Sequence, residues 1–283
     1  MKILVTGYTG QLGYDVVQHG LQLGLHMVGI GSKDLDITDK EAVSQYVKKV
    51  RPDAVIHCAA FTAVDKAEDD KDTCRCVNVE GTNNLAEVAR EINARFMYIS
   101  TDYVFSGEGQ TPFKETDEPR PIGHYGRTKL EGEEAVKQLD KWFIIRVSWV
   151  FGINGNNFVK TMLRLAETRN ELNVVGDQFG SPTYTLDLAK LLIDMIKTDK
   201  YGIYHASNEG FCSWADFAQE IFTQANIHVK VNSISTEEYP TRALRPKNSR
   251  MSKQKLMDNG FNPLPRWQDA VKRYLKELTQ EVK

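Results

Sequence analysis

The stretch "KILVTGYTGQLG", Lys2 to Gly13, decides the fold. An apolar run suited to a strand passes directly into Gly7, Gly10 and Gly13, spaced G-x-x-G-x-x-G. A tight turn from strand to helix needs residues without a Cβ, so that backbone N–H groups can approach a pyrophosphate and the helix can pack closely on the strand. The amino end of the helix then supplies positive potential. Glycines are common in loops, so the spacing alone is a weak signal. Its position immediately after an amino-terminal strand carries the expectation of a dinucleotide cradle.

Working outward, the same rhythm repeats. The runs "HMVGIG", "DAVIHCAA", "RFMYIS" and "WFIIRVSWV" suit strands buried on both faces. Amphipathic pieces lie between them, at Lys40 to Val50 and Asn78 to Asn93. This alternation predicts an α/β protein with a doubly wound parallel sheet. After Val150 the rhythm changes. "FVKTMLRLAETRNE" reads as a helix, "SPTYTLDLAKLLIDMIK" as another with Thr185 as candidate cap, and "SWADFAQEIFTQA" and "WQDAVKRYLKELTQE" as two more. The expected organisation is a dinucleotide-binding domain over 1–150, joined by part of 172–206. A smaller, mainly carboxyl-terminal substrate-binding lobe would comprise 151–171 and 207–283.

Composition narrows the partners. The 283 residues are 41% hydrophobic and 26% charged, with a net charge of −2, so no concentrated basic surface calls for nucleic acid or a membrane. A small-molecule partner is expected. "MKILVTG" lacks the pattern of a secretory signal, and no apolar run nears the roughly 18 residues of a membrane span. Cys58, Cys74, Cys76 and Cys212 lack the spacing of a zinc site, so reduced thiols and a cytoplasmic location are expected.

The second strand bears on the type of nicotinamide cofactor. It ends in Gly31, Ser32 and Lys33, without the immediate carboxylate that accepts a ribose 2′-hydroxyl and repels a 2′-phosphate. NADPH is favoured. Asp34 and Asp36 follow closely enough to keep NADH as an alternative.

Two further features mark a reaction centre. "YISTDYVFSG" places Ser100 and Thr101 at the end of a buried strand, where a doubly wound sheet opens to its ligand crevice. "HYGRTKLEGE" places Tyr125 four residues before Lys129, on one face of a helix. A free tyrosine titrates near about pH 10, and a neighbouring ammonium would lower that value. Thr101 could then hydrogen-bond a carbonyl oxygen while Tyr125 delivers a proton. Each feature has a structural alternative: Tyr-x-x-x-Lys occurs in helices as a packed ring beside an amine, and Thr101 could cap the next segment. Their conjunction with the glycine turn points to chemistry.

These residues resemble the extended branch of the short-chain dehydrogenase/reductase superfamily, which acts on nucleotide sugars. The segments "AAFTAVDKAE", "ISTDYVFSG", "YGRTKLEGE", "VSWVFG", "GNNFVKTMLRLA", "DQFGSPTYT" and "RPKNSRM" narrow the resemblance to the dTDP-4-dehydrorhamnose reductase family, from end to end. A Rossmann-type fold is implied, with Gly7, Gly10, Gln11, Leu12 and Gly13 around the cofactor pyrophosphate and Asp36 and Ile37 near the adenine. Ala59, Ala60 and Thr62 would line the nicotinamide side. Thr101, Tyr125 and Lys129 match the catalytic hydroxyl, acid and lysine, the last two also touching cofactor. Val64, Asp102, Tyr103 and Trp149 match positions around the sugar, and Asn157 and Arg245 are candidates for the nucleotide diphosphate. The implied activity is reduction of the C4 ketone of dTDP-4-dehydro-L-rhamnose.

Some members of the family are dimers joined through magnesium held by glutamates. Asp15 and Asp187 fall at corresponding positions without completing a set, so magnesium stays open, as does monomer against homodimer. Dehydratases on this scaffold resemble one another in Thr-Asp-Glu, whereas here Tyr103 follows Thr101 and Asp102. An epimerase, or a binding-only relative such as the regulatory subunit of methionine adenosyltransferase, remains the alternative. The intact Thr101, Tyr125 and Lys129 set speaks against the binding-only role.

Overall fold

The computed structural model describes residues 1–281. Residues 282 and 283, the end of the expected carboxyl-terminal lobe, lie outside the described residues. The apolar runs become β1 (Lys2–Thr6), β2 (His26–Ile30), β3 (Ala54–His57), β4 (Arg95–Thr101) and β5 (Trp142–Val147). With the strand Gly202–His205 they form one sheet, ordered from that strand through β5, β4, β3 and β1 to β2. All its pairings are parallel.

Alternation along the strands sorts side chains onto two faces. Ile3 and Val5 of β1 and Phe143 and Ile145 of β5 pack on one side; Leu4 and Ile144 pack on the other. Helix α1 (Gln11–Gln22) lies on the first face. Helix α2 (Lys40–Val50) lies on the second, capped by Asp39, which accepts from Ala42 N at 3.0 Å. Two short helices, α3 (Val64–Asp69) and α4 (Lys71–Arg75), follow β3, and a π-helical turn, Cys76–Glu80, leads into α5 (Gly81–Glu91). Helix α6 (His124–Val136) packs beside β4 and α5. The strand order reverses between β1 and β3, so the carboxyl ends of these strands open a crevice where doubly wound sheets take ligands.

Beyond β5 come α7 (Phe158–Ala166), α8 (Thr185–Ile196) and α9 (Trp214–Ala225). Helix α8 returns to cover the first sheet face, with Leu188, Leu192 and Ile196 buried there. Helices α7 and α9, the closing helix Trp267–Glu281 and the parallel strands Glu171–Val175 and Lys230–Ile234 gather around a separate core containing Phe151, Phe217, Phe222 and Tyr274.

The structure departs from the sequence reading in three places. The run "WFIIRVSWV" breaks after Val147, because Ser148 donates to Ser181 O at 2.7 Å and its own carbonyl accepts from Thr183 Oγ1 at 2.6 Å. Trp149 adopts φ 48°, and Val150–Phe151 pairs instead with Thr183–Tyr184. The helix starting at Phe158 stops at Ala166, and Glu171 already belongs to a strand. Thr185 does not cap α8. Tyr184 occupies that position without a side-chain capping bond, while the Thr185 hydroxyl donates to the buried Asp15 of α1.

Helix α9 has the stronger start. Ser213 Oγ accepts from Asp216 N at 3.1 Å, and the Asp216 carboxylate accepts from Ser213 N at 2.9 Å, a reciprocal capping box. Ser213→Ala is expected to destabilise the protein by about 1 kcal/mol, read as a lower urea midpoint with unchanged slope.

Candidate functional site

The crevice is a cleft of about 910 Å³ running from the glycine turn to the end of β4 and the start of α6. Its floor begins where β1 ends. Gly7 takes φ 68°, and a Cβ there would stand 2.7 Å from Ala59 N. At Gly13 a Cβ would lie 2.4 Å from the Gly7 carbonyl oxygen. Close backbone approach therefore requires glycine at both positions. Gly10 differs: its added Cβ would meet only Gly7 O, at 3.2 Å, and otherwise face open space in the cleft. No side chain caps α1, so its first-turn N–H groups are left beside that space. This cradle fits a dinucleotide pyrophosphate.

Gln11 and Leu12 line the same end. The Gln11 side chain turns to the loop after β5, accepting from Gly152 N at 2.9 Å and from Asn157 Nδ2 at 3.1 Å. Asn154 Nδ2 donates to Thr9 O at 2.8 Å, so this loop lies across the glycine turn and contributes Gly155 and Asn156 to the wall. Asn157 is therefore an organiser of the loop. It caps α7 through Lys160 N and lies near Gly152 O and Tyr274 Oη, and it is not part of the cleft wall.

Beyond β2, Ser32, Asp36 and Ile37 line the cleft. Both nearby carboxylates are committed to local turns: Asp34 accepts from Gly31 N at 2.8 Å, and Asp36 accepts from Thr38 N at 2.9 Å and Thr38 Oγ1 at 2.8 Å. The Thr38 bonds hold Asp36 below its ordinary carboxylate range. Beyond β3, Ala59, Ala60, Thr62 and Val64 form the opposite wall. Asn78 of the π-helical turn fixes this segment: its Oδ1 accepts from Phe61 N at 2.8 Å, and its Nδ2 donates to Thr128 Oγ1 on α6 at 3.1 Å.

Thr101, Asp102, Tyr103, Tyr125 and Lys129 all reach the far end of the cleft. Thr101 Oγ1 donates to Asp102 Oδ1 at 3.0 Å and accepts from Tyr103 N at 3.1 Å, so it also caps the short helical turn that follows. The Tyr125 ring meets the edge of Tyr103 at 5.6 Å and packs with Ala67 and Cys74. Lys129 is 2% exposed, and its Nζ sits 4.0 Å from the centre of the Tyr98 ring.

Burial dominates the electrostatics. It pushes Asp102 up to about 6, against hydrogen bonds from Ser249 and Thr101. It drives Lys129 down to about 7, against the Glu133 carboxylate and then Cys58 and Cys74. Burial and Asp102 hold the Tyr125 phenol above its ordinary range, with the Thr101 hydroxyl acting in the opposite direction. The expected acidification by Lys129 is not what governs this phenol: loss of water around the ring, and then Asp102, raise it instead.

Trp149 lines the cleft with its ring stacked on Trp214, centroids 3.7 Å apart and planes at 15°. A Cβ on Gly180 would be 2.8 Å from that ring. Arg245 is set back from the cleft wall: its guanidinium is held by the Asp65 carboxylate at 3.1 and 2.6 Å. Asp187, the other candidate magnesium position, pairs with Arg273 at 2.7 and 2.6 Å and accepts from Asn208 at 2.9 Å. Among the described residues, no group of three or more His, Cys, Asp or Glu is arranged to hold a metal ion, and no helix is long and apolar enough to cross a membrane.

Sequence reading missed Asn78, Ser100 as a structural donor, Glu133 and Trp214. A signal existed for Glu133 alone, one turn after Lys129; the others act across long sequence separations.

Residues 1–280 match the family described as RmlD substrate binding domain. The chain is 41% identical over 277 residues to the spore coat polysaccharide biosynthesis protein SpsK of Bacillus subtilis (strain 168), covering 98% of this chain and 97% of that protein. It is 41% identical over 293 residues to the dTDP-4-dehydrorhamnose reductase of Escherichia coli (strain K12), covering 98% of each. The structure of dTDP-4-dehydrorhamnose reductase from Bacillus anthracis str. Ames in complex with NADP is similar at a TM-score of 0.95 and 43% identity, covering 98% of this chain and 100% of that one.

Proposed function

The chain belongs to the RmlD substrate binding domain family, and from that premise we propose that it reduces the C4 ketone of dTDP-4-dehydro-L-rhamnose to the alcohol of dTDP-L-rhamnose, using NADPH. One observation carries the reading: a single cleft joins the glycine cradle to Thr101, Tyr125 and Lys129. When bound, the reduced nicotinamide supplies the hydride.

The chain's own residues do the rest. Gly7, Gly10, Gln11, Leu12 and Gly13 hold the pyrophosphate: the glycines leave room for it, with Gly10 N closing the turn onto Gly7 O at 2.9 Å, and the first-turn N–H groups of α1 donate to it. Ile37 and Asp36 border the adenine. Ser32 in the wall, where no carboxylate directly ends β2, favours NADPH over the alternative NADH, and Asp34 and Asp36 are turned to local donors. Ala59, Ala60 and Thr62 flank the nicotinamide, and Lys129 binds its ribose with ammonium donors.

At the sugar end, Thr101 redirects its hydroxyl proton from Asp102 to the carbonyl oxygen and stabilises the charge that develops there. Tyr125, held neutral by its raised pKa, gives its proton to that oxygen. Asp102 lines this end of the cleft and holds the Thr101 hydroxyl through Oδ1 at 3.0 Å until the sugar arrives. Val64, Tyr103 and Trp149 close around the ring. Asn157 and Arg245 support the walls through Gln11 and Asp65 instead of contacting the diphosphate directly.

The test is to supply enzymatically generated dTDP-4-dehydro-L-rhamnose and follow nicotinamide absorbance with NADPH and NADH in turn. Oxidation of NADPH dependent on the sugar is expected. Oxidation of neither cofactor would reject the activity.

A further inference from the structure

Beneath the cleft, three elements meet at one ion pair. Arg146 of β5 and Glu133 of α6 have side chains 1% and 0% exposed. Arg146 Nε and Nη2 donate to the two Glu133 oxygens at 2.9 and 2.7 Å, and Ser100 Oγ of β4 donates to Glu133 Oε1 at 2.5 Å. Each member adjoins the reaction centre. Ser100 precedes Thr101 and pairs in register with Arg146, while Glu133 stands one turn after Lys129. Burying two charges carries a desolvation cost that apolar residues of similar volume avoid, so stability alone is a poor reason for this pair.

We infer that Glu133 is a positioning residue for the reduction: clamped by Arg146 and Ser100, it fixes α6 against β4, sets Tyr125 and Lys129 opposite Thr101, and supports the Lys129 ammonium with its carboxylate. This inference rests on the reductase reading for its kinetic arm. The groups facing Lys129 are His57 and Cys58 from β3 and its end, Cys74 from α4, Tyr98 from β4 and Glu133 from its own helix, on which Tyr125 lies one turn earlier. Burial keeps His57 neutral, with a pKa near 3, and raises Cys58 to about 12. It raises the Cys74 thiol and the Tyr98 and Tyr125 phenols as well. Among these groups, Glu133 is the one carboxylate, gripped at both oxygens by the Arg146 guanidinium. Removing it lowers the pKa of Lys129, so the ammonium is lost at lower pH.

The test compares the full-length protein with Glu133→Gln/Arg146→Met, which removes both charges and leaves an acceptor for Ser100. The double variant is expected to melt near the wild-type temperature and to lose about tenfold to a hundredfold in kcat, with a smaller change in KM. The fall in NADPH affinity with rising pH is expected to begin at lower pH, a readout that needs no sugar substrate. A stable double variant with wild-type kcat and an unmoved pH dependence would show that the pair serves folding alone. Should the double variant fail to fold, Ser100→Ala leaves the ion pair in place: a several-fold loss of kcat at unchanged melting temperature is expected, and wild-type kcat overturns the clamp. Absence of wild-type turnover rejects the reductase reading instead, and the NADPH titration then decides the clamp.

Discussion

Tyr125→Phe is expected to fold, bind NADPH as the wild type does, and lose about 10²- to 10⁴-fold in kcat. The ring packs against Ala67, Cys74 and the edge of Tyr103, all contacts that phenylalanine keeps. The change therefore removes the hydroxyl proton and little else. Because burial and Asp102 hold this phenol above its ordinary range, it is the proton-bearing form throughout the neutral region. Lys129, driven to about 7 by burial, loses its charge there, while Asp102, raised to about 6, gains its charge just below. Activity that falls as pH rises through that region would thus follow loss of the Lys129 ammonium, and Tyr125→Phe should lower the whole profile without moving this limb. Near-normal turnover in the variant would remove Tyr125 from the mechanism.

Gly10→Val should separate cofactor binding from folding. Gly10 has φ −87° and ψ −179°, extended backbone open to any residue, and its added Cβ meets only Gly7 O at 3.2 Å. The turn can therefore accept valine with a small adjustment, while the added methyl groups enter the space assigned to the pyrophosphate. The expected result is a folded protein whose NADPH affinity drops at least about a hundredfold, equivalent to about 2.7 kcal/mol. Gly13→Val is a useful contrast, since a Cβ 2.4 Å from Gly7 O would break the turn itself and cost stability as well. Unchanged NADPH affinity in Gly10→Val would mean that the cofactor lies elsewhere.

The parts of this site that could be read from sequence are those fixed by local spacing. Gly7 and Gly13 are close to each other in the chain, and the physics of a strand-to-helix turn dictates both. Tyr125 and Lys129 share a helix face because four residues make about one turn. Fold class followed from apolar runs of strand length, and the five that were visible became β1 to β5. The strand Gly202–His205 escaped notice because Gly-Ile-Tyr-His is not a continuous apolar run and its pairing with β5 is long-range.

Other features depended on partners distant in sequence. Trp149 turns out of its strand because Ser148 bonds to Ser181 and Thr183, and Thr185 gives its hydroxyl to Asp15, which no local rule for helix caps would reveal. Asn157 and Arg245 have the right chemistry for a diphosphate, yet Gln11 and Asp65 engage them. The proton chemistry was the least legible part. Spacing placed an amine near a phenol but could not show how deeply both are buried, which reverses the dominant effect on Tyr125 and brings Lys129 down toward neutrality.

The most direct test of the account uses NADPH carrying deuterium at the transferable C4 position, incubated with the protein and dTDP-4-dehydro-L-rhamnose. Mass and proton spectra should show dTDP-L-rhamnose with deuterium at sugar C4, formed in equal amount to the NADPH consumed. A product without label at C4, or cofactor consumption without sugar reduction, would contradict it.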